Sequence, residues 1–463
     1  MSNPIAATGI RFSKSTMREL LELSLPMVVS QGAFAVMVFC DRLFMSRIDA
    51  VHMAASLGGG VASFFSISLF VGVLVYANAL VAQYFGAGER HKCPQVVTQG
   101  LLMAALCLPL LAIIAHYVSQ LFAGMGHDPR QVELESSYYF ILMWGAGFTL
   151  AKVCIASYFS GIGRTRVVMV ADTLGMVLNV PLSYVLIFGK LGFPELGIDG
   201  AALGTVISSL FALVLFCAYY FQREHRQEFS VMASFRFNRA IMGRYLRLGF
   251  PSGFELFMNV ASFNLFLLMF QSYGVVQGAS AAIVFNWDML SFVPMLGLNI
   301  GVISLIGRFV GANDMARADE VISAGFLLAL GYAGVLAVLF VVFRVELVTL
   351  FAGSGADGND IVQLSSFMMV GLASYVMADA AILISGGVLR GAGDTRWMMV
   401  TSISLHWLML LAQYFIIMVY DWNERVSWLT FVLMILLIAV VYVGRLRGNV
   451  WREPERLAKV MAE

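Results

Sequence analysis

Long apolar runs separated by short polar or Gly-rich segments cover most of the 463-residue chain. Each run has about 20 or more residues, the length that a helix needs to cross roughly 30 Å of hydrocarbon. Twelve such runs lie near residues 20–40, 53–82, 96–118, 137–159, 167–188, 200–221, 245–271, 279–306, 321–343, 361–389, 397–420 and 427–444. The pattern predicts an all-α integral membrane protein with twelve transmembrane helices.

The second group of six runs repeats the first. Several short motifs recur 225 residues later in the chain, namely Arg11-Phe12 as Arg236-Phe237, Met17 as Met242, Pro26 as Pro251, and Gly86-Ala87 as Gly311-Ala312. The motif Gly-x-Gly-x-Thr-Arg at Gly161 recurs at Gly391, 230 residues later. Because both copies run in the same chain direction, we expect two parallel-repeat six-helix lobes around a central cleft, which is a transporter architecture.

The chain divides accordingly into three predicted segments. Residues 1–225 form the N-terminal six-helix lobe, and residues 226–244, which are rich in Arg, form a linker. Residues 245–463 form the C-terminal six-helix lobe and end in a short basic tail.

The basic residues indicate the orientation in the membrane. With the N-terminus inside, 22 of the 29 Lys and Arg residues fall on predicted inner segments, six fall on outer segments, and Lys152 lies within a span. This bias predicts that both termini are cytoplasmic, with Arg11 among the basic residues of the inner N-terminal segment. The first apolar run is too long for a cleavable signal peptide, so we expect it to remain as the first helix.

Composition excludes most other classes of protein. Hydrophobic residues make up 60% of the chain and charged residues 12%, too few polar groups to cover a soluble surface. The net charge of +1 gives no sign of a nucleic-acid partner, and the five irregularly spaced cysteines predict neither disulfides nor a zinc site. No metal motif, nucleophile elbow or phosphate-binding loop is present, so we expect neither an enzyme nor a cofactor.

Three acidic residues of the second half are predicted to lie near the middle of the membrane. Glu255 and Asp379 are each about ten residues from a span end, or roughly 15 Å deep, and Asp288 is similarly deep, six residues before Pro294. Such groups are costly in a bilayer and usually functional. With no deep basic partner predicted, they indicate a cation site; the alternative is that they are hydrogen-bonded packing elements between helices.

Other polar residues within the spans have more than one interpretation. Asp41 would lie about 31 Å along the first helix, so depth alone allows either an interfacial acid beside Arg42 or a functional group. Lys152 and Asp172 lie at similar depth on consecutive helices, which favours a structural ion pair. His406 is expected to be a hydrogen-bonded interior residue.

Two prolines occupy matching positions early in the first helix of each repeat. Pro26 and Pro251 remove one helical hydrogen bond each and can kink their helices. They are candidate hinges for transport, although a purely structural kink is the alternative.

Several stretches together resemble the multidrug and toxic compound extrusion (MATE) family over essentially the full length of the chain, and the NorM-type bacterial branch in particular. They are Pro26 with Asp41 fifteen residues later, Gln83-Tyr-Phe-Gly86-Ala-Gly88, Asn179-Val-Pro181-Leu-Ser183-Tyr, Pro194-Glu-Leu-Gly197, Gly249-Phe-Pro251, and Asp379 followed by Leu389-Arg390-Gly391-Ala-Gly393-Asp394-Thr395. The resemblance implies a V-shaped cleft between two lobes and efflux of organic cations in exchange for Na⁺ or H⁺. It also implies that Asp41 and Asp379 couple ion and drug, and that Asn179 is a polar site residue.

The chain departs from the family pattern at two positions. The seventh-helix glutamate of NorM-type proteins is expected eight residues after Pro251, where this chain has Asn259. Glu255 lies one turn earlier on the same face, so its equivalence is an inference. Ser183 replaces the Asp that the DinF-like branch has four residues after its Asn, which disfavours that branch.

The sequence therefore predicts a cation-coupled antiporter of the bacterial inner membrane that exports organic, hydrophobic cations in exchange for Na⁺ or H⁺. Its candidate coupling residues are Asp41, Glu255, Asp288, Asp379, Asn179 and Asn259, with a candidate Na⁺ site at Glu255 and Asp379. The expected partners are small-molecule substrates and membrane lipid, and the expected state is a monomer. The alternative is a flippase for lipid-linked saccharides from the same superfamily, which would present deep Arg or Lys residues to an anionic headgroup.

Overall fold

A computed structural model describes residues 13–124, 128–351 and 358–462 of the chain. Arg11 and Phe12, which opened the first repeat, lie outside the described residues. Within the described ranges the chain is helical and contains no β-strand.

Seventeen α-helices follow one another through the described ranges. Those of the first half are α1 (Lys14–Ser46), α2 (Ala50–Val75), α3 (Ala77–Gly86), α4 (Cys93–Gly124), α5 (Pro129–Trp144), α6 (Ala146–Gly161), α7 (Thr165–Phe188), α8 (Ile198–Tyr220) and α9 (Arg223–Glu228). Those of the second half are α10 (Arg239–Gln271), α11 (Val275–Gly311), α12 (Met315–Val342), α13 (Arg344–Thr349), α14 (Gly358–Gly391), α15 (Thr395–Tyr414), α16 (Glu424–Arg447) and α17 (Pro454–Met461).

The long apolar helices match the predicted spans. Eleven helices or continuous helix pairs are long and apolar enough to cross a membrane, and α5 with α6 forms a twelfth, bent by 47° at their junction. The prediction of twelve spans is confirmed when this bent pair counts as one. Gly145 lies at the bend, where its lack of a side chain lets it pack closely against Val206 of α8.

Repeated turns end corresponding helices of the two halves. Gly163 after α6 and Gly393 after α14 have φ values of +81° and +84°, a left-handed conformation that glycine adopts at little cost. The turns after α3 and α11 use Gly88 at +79° and Asn313 at +56°, and asparagine also tolerates this region. All four turns lie on one end of the bundle, which we call the basic face after Arg90, Arg164, Arg308 and Arg390.

Each half forms its own packed lobe. The first lobe packs α7 against α1 and α8, and α6 against α4 and α8, whereas the second packs α14 against α11, α12 and α16, and α10 against α15. Each lobe has its own large apolar core, to which a few residues of the other half contribute, such as Leu23 in one core and Tyr245 in the other. Two parallel-repeat six-helix lobes are therefore confirmed.

The lobes meet mainly towards the basic face. Glu19 of α1 pairs with Arg308 and Arg317 of the other lobe at 3.2 and 3.0 Å, and Gly86 and Gly311 at the ends of α3 and α11 both touch the opposite lobe. Deeper in the bundle, the stacked rings of Phe65 and Phe257 join α2 to α10 with centroids 4.7 Å apart.

Beyond this stack the two helices carry exposed apolar side chains, including Leu57 of α2 and Leu268 of α10. This arrangement fits the predicted V-shaped cleft, with the lobes in contact towards the basic face and exposed apolar side chains beyond the stack.

Candidate functional site

Asp41 lies in the interior of the first lobe. Its side chain points from α1 towards α8, where Thr205 Oγ1 donates a hydrogen bond to Oδ2 at 3.2 Å. The residue is buried, and Oδ1 has no hydrogen-bond partner among the described residues. The structure thus buries Asp41 instead of exposing it at an interface beside Arg42.

Ser183 of α7 lies next to this carboxylate, and Asn179 lies on the same helix. They are one helical turn apart and both fully buried, and Ser183 interacts with Asp41. The Asn179 amide has no hydrogen-bond partner in the described part of the chain, and the Ser183 hydroxyl has none of standard geometry, although it lies beside the Asp41 carboxylate. Together with Asp41 and Thr205 they form what we call the N-lobe polar cluster. Carboxylate, amide and hydroxyl oxygens are the ligands that hard cations prefer.

Asp288 and Asp379 come together in the second lobe. They project from α11 and α14, both half-buried, and their carboxyl groups interact electrostatically. Tyr375, one turn before Asp379 on α14, faces Asp288 and is itself buried. The Tyr375 hydroxyl lies beside Asp288, yet neither it nor Asp288 Oδ1 makes a hydrogen bond of standard geometry within the described ranges. We call Asp288 and Asp379 the C-lobe acidic pair.

Glu255 occupies different surroundings. Its charged neighbour is Arg390 at the end of α14, with Nη2 3.4 Å from Glu255 Oε2, and Tyr442 donates a hydrogen bond to Oε1 at 3.4 Å. The expectation that the deep acids lack a basic partner is therefore wrong for Glu255. The physical reason is that the long Arg390 side chain reaches from the basic face into the lobe. The two residues of the predicted Na⁺ site therefore have different charged neighbours, Arg390 for Glu255 and Asp288 for Asp379.

Asn259 lies one turn further along α10 and joins that helix to α15. Its Nδ2 donates to Ser402 Oγ at 2.8 Å, whereas its Oδ1 finds no partner in the described residues. His406, one turn after Ser402, donates from Nδ1 to the Ser402 carbonyl at 2.8 Å. The prediction that His406 is a hydrogen-bonded interior residue is confirmed.

The predicted ion pair between consecutive helices is also present. Lys152 Nζ lies 3.4 Å from Asp172 Oδ1, and Ser30 Oγ donates to Asp172 Oδ2 at 2.5 Å. These contacts join α6, α7 and α1, which fits a structural role.

The two prolines lie where the lobes touch. Pro26 and Pro251 are both buried, and the helices α1 and α10 continue through them. Two residues after each proline comes an interlobe contact, from Val28 to Gly297 in one case and from Gly253 to Gly72 in the other. Any bending at the prolines would therefore move the lobes relative to each other.

Sequence reasoning missed three partners of these groups. Tyr375 could have been noticed, because it precedes Asp379 by four residues and so lies on the same helical face. Thr205 and Arg390 carry no such local signal, since their contacts depend on how helices distant in sequence pack. Within the described residues, no group of three or more His, Cys, Asp or Glu side chains could hold a metal ion.

Comparison with known proteins agrees with this architecture. The MatE family model matches residues 26–185 and again residues 251–415, one match in each lobe. The "Probable multidrug resistance protein NorM" of Pasteurella multocida is 28% identical over 395 residues, covering 84% of each chain. The "Multidrug resistance protein MdtK" of Cronobacter sakazakii is 27% identical over 442 residues, covering 93% of this chain and 95% of the relative.

Solved structures show the same fold at lower sequence identity. A MOP superfamily transporter from Pyrococcus furiosus is 19% identical with a TM-score of 0.86, over 96% of this chain and 100% of that one. A multidrug resistance MATE family transporter in an outward-facing conformation is 20% identical with a TM-score of 0.85, over the same shares of the two chains. With the family model matched in both lobes and NorM among its relatives, this chain belongs to the MatE family and is of the NorM type.

Proposed function

We propose that this protein exports hydrophobic organic cations by antiport against inward Na⁺ or H⁺. The observation that carries the proposal is the C-lobe acidic pair, two carboxyl groups within the membrane that interact with each other and face a buried tyrosine hydroxyl. Like charges so placed favour the binding of a cation or a proton between them. The names of the curated relatives, which are multidrug resistance proteins, support small-molecule drugs as the substrate class.

Coupling follows from competition for these carboxyl groups. A drug cation and the coupling ion cannot both neutralise the same acids, so entry of the ion displaces the drug into the cleft. One monovalent cation that moves down 100 mV supplies about 2.3 kcal/mol, and its concentration gradient adds to this. The N-lobe polar cluster, which offers carboxylate, amide and hydroxyl oxygens, would serve as a second cation site.

Alternating access would complete the cycle. The excess of Lys and Arg on the basic face supports an orientation in which that face and both termini lie on the cytoplasmic side of a bacterial inner membrane. In this orientation the cleft opens to the outside, and substrate loading requires a second state that opens at the basic face. Bending at Pro26 and Pro251, beside the interlobe contacts, would allow the change.

The experiment is transport by the purified protein in liposomes, with Na⁺ and pH gradients imposed separately. A fluorescent organic cation serves as the substrate, and Asp379→Asn, Asp288→Asn and Asp41→Asn are compared with wild type. We expect each variant to insert normally and to lose gradient-driven export.

Asp360→Asn is the matched control, since it makes the same change at an exposed acid on the same helix as Asp379. The control should transport like wild type. Export by Asp288→Asn and Asp379→Asn at the wild-type rate would refute the proposal. Movement of an anionic lipid-linked sugar, without movement of the cation, would support a flippase instead.

A further inference from the structure

The residues after the last membrane helix fold back across the basic face. A short 3₁₀ turn (Val450–Arg452) leads into α17, and Trp451 in this turn is 1% exposed. Arg452 pairs with Asp319 of α12 at 2.7 Å, and Arg456 pairs with Asp394 in the turn between α14 and α15. The tail is thus anchored to the second lobe by two ion pairs.

The end of α17 binds two arginines of α10. Arg244 Nε donates to the carbonyl oxygen of Val460 at 2.9 Å, and Arg247 Nη2 donates to the carbonyls of Lys459 and Ala462 at 3.1 and 2.8 Å. The last carbonyls of a helix lack intrahelical donors and carry partial negative charge, so they suit cationic donors. The tail therefore contributes backbone acceptors to both guanidinium groups.

Arg244 also reaches across to the first lobe. Its Nη2 donates to Gln83 Oε1 at 2.6 Å, and its guanidinium carbon lies 4.7 Å from the centroid of the Tyr84 ring. Gln83 Nε2 in turn donates to the carbonyl of Gly391 at 2.7 Å. One side chain thus connects the tail, the second lobe and the end of α3, three residues from the interlobe contact at Gly86.

The charge of Arg244 makes the tail important to this connection. Arg244 is only 2% exposed and has no carboxylate partner in the part of the chain that the structure describes. Its charge is held by the Val460 carbonyl, the Gln83 amide and the Tyr84 ring. A buried cation needs such acceptors, so removing the Val460 carbonyl weakens the contacts of Arg244 with Gln83 and Tyr84 as well.

We propose that α17 is a strap that stabilises the closed contact between the lobes at the basic face. Arg244 is the positioning residue: α17 fixes its guanidinium group, and the guanidinium group binds Gln83 of the first lobe. Opening at this face then requires Arg244 to leave Gln83. The inference rests on the alternating access of the proposed function. The new element is that the C-terminal tail sets the equilibrium between the state closed at the basic face and the state open there.

The experiment measures opening directly. Ser304 is fully buried at the seam, where its hydroxyl donates to the carbonyl of Ser160 in the other lobe at 2.8 Å. Ser304→Cys therefore places a thiol that a membrane-impermeant maleimide reaches only when the lobes part. Labelling from the basic face is compared with the protein that carries only its native cysteines.

A variant that ends at Glu453 removes α17. We expect the labelling rate of the cysteine at position 304 to rise about tenfold, as the loss of one or two hydrogen bonds would produce. The KM for substrate offered at the basic face should fall, because the competent state is more populated, and kcat should fall because closure is slower.

Arg244→Gln tests the same link without shortening the chain. It should reproduce the faster labelling, and Arg244→Lys should restore part of the wild-type rate. Arg247→Gln, which removes one arginine contact with the tail but leaves the bond to Gln83, should have a smaller effect.

Wild-type labelling in Arg244→Gln, or a truncated protein that melts at a lower temperature while its labelling is unchanged, would overturn the strap. Labelling needs no substrate, so it would detect the strap even if the transported compound were not a cation.

Discussion

Gly86 of α3 lies directly against the backbone carbonyl of Arg308 of α11, in the opposite lobe. The reciprocal contact is also present. Gly311 of α11, the repeat partner of Gly86, lies against the carbonyl of Gln83 of α3, the repeat partner of Arg308. The two contacts are related by the internal repeat, so the lobes meet around an approximate twofold axis at the basic face.

The same relationship recurs deeper in the bundle. Gly297 lies against the backbone of Val28, and its repeat partner Gly72 lies against Gly253, the repeat partner of Val28. Reciprocal glycine contacts therefore line the seam at two levels. Much of the close packing between the lobes therefore occurs at glycines, where any side chain would collide with the backbone of the other lobe.

Alanine at either seam glycine should force the lobes apart at the basic face. In Gly86→Ala and Gly311→Ala the new methyl group would overlap a carbonyl of the other lobe, and overpacking of this kind costs about 1–3 kcal/mol. We expect faster labelling of a cysteine at position 304 and slower export. Both can be measured on the purified protein.

Gly243→Ala is the matched control for these two variants. Gly243 lies in α10 with open space where an alanine Cβ would stand, so alanine should be tolerated or slightly stabilising. If Gly86→Ala and Gly311→Ala labelled and transported like Gly243→Ala, the seam contacts would not limit closure.

Glu255→Gln should lower stability more than it lowers transport. The substitution keeps a hydrogen-bonding group near Tyr442 but leaves the Arg390 guanidinium without its carboxylate. Breaking a buried ion pair costs about 3–5 kcal/mol, and since Arg390 is 24% exposed we expect ~1–3 kcal/mol. Thermal melting gives the stability, and gradient-driven export per folded molecule gives the transport rate.

A double substitution distinguishes the roles of Glu255. Glu255→Gln combined with Arg390→Gln removes both charges and should recover part of the lost stability. Complete loss of export in Glu255→Gln at wild-type stability would instead assign this acid to coupling, the role inferred from its position one turn before Asn259.

Much of the fold could be predicted because its causes are local. Spans follow from the length of apolar runs, the repeat from recurring motifs such as those at Gly86 and Gly311, and the ion pair of Lys152 with Asp172 from their similar depth. The bend between α5 and α6 was not predicted, since the junction at Gly145 falls inside one apolar run.

The arrangement of the site was harder to predict because it depends on packing between helices distant in sequence. Depth along a helix placed Glu255 and Asp379 alike, but depth does not say which neighbour each carboxylate meets. In the sequence, Arg390 is a basic residue at a span end and part of a family motif, but nothing there indicates that it is a partner of Glu255. Its reach into the lobe, like the docking of α17, is a tertiary feature without a local pattern.

Alanine at the two prolines should slow transport without preventing substrate binding. Pro251 leaves the carbonyl of Arg247 without an intrahelical donor, and alanine would restore that hydrogen bond and stiffen α10. The same reasoning applies to Pro26 in α1. We expect turnover to fall about tenfold, equivalent to roughly 1.4 kcal/mol on the transition between states, with little change in substrate affinity.

Pro109→Ala provides the comparison for these variants, because Pro109 lies on the exposed side of α4. It should leave turnover unchanged. Equal turnover in all three proline variants and wild type would show that Pro26 and Pro251 are structural kinks and not hinges.

The stability of the protein should fall in mild acid because of His225, which lies in the connection between α8 and α10. Arg164 Nη1 donates to His225 Nδ1 at 2.9 Å, so the neutral ring donates from Nε2 to the Tyr158 hydroxyl, also at 2.9 Å. Burial first, and the Arg164 charge second, lower the pKa of His225 to about 4. In the unfolded chain the pKa is about 6.5, so between these values the unfolded state binds the extra proton.

This contribution is therefore complete above about pH 6.5 and is lost as the pH falls towards 4. The melting temperature should decline across that window in wild type, and the decline should be smaller in His225→Gln, whose amide can still accept from Arg164 and donate to Tyr158. Parallel melting curves for the two proteins from pH 7 to pH 4 would mean that another group causes the acid sensitivity.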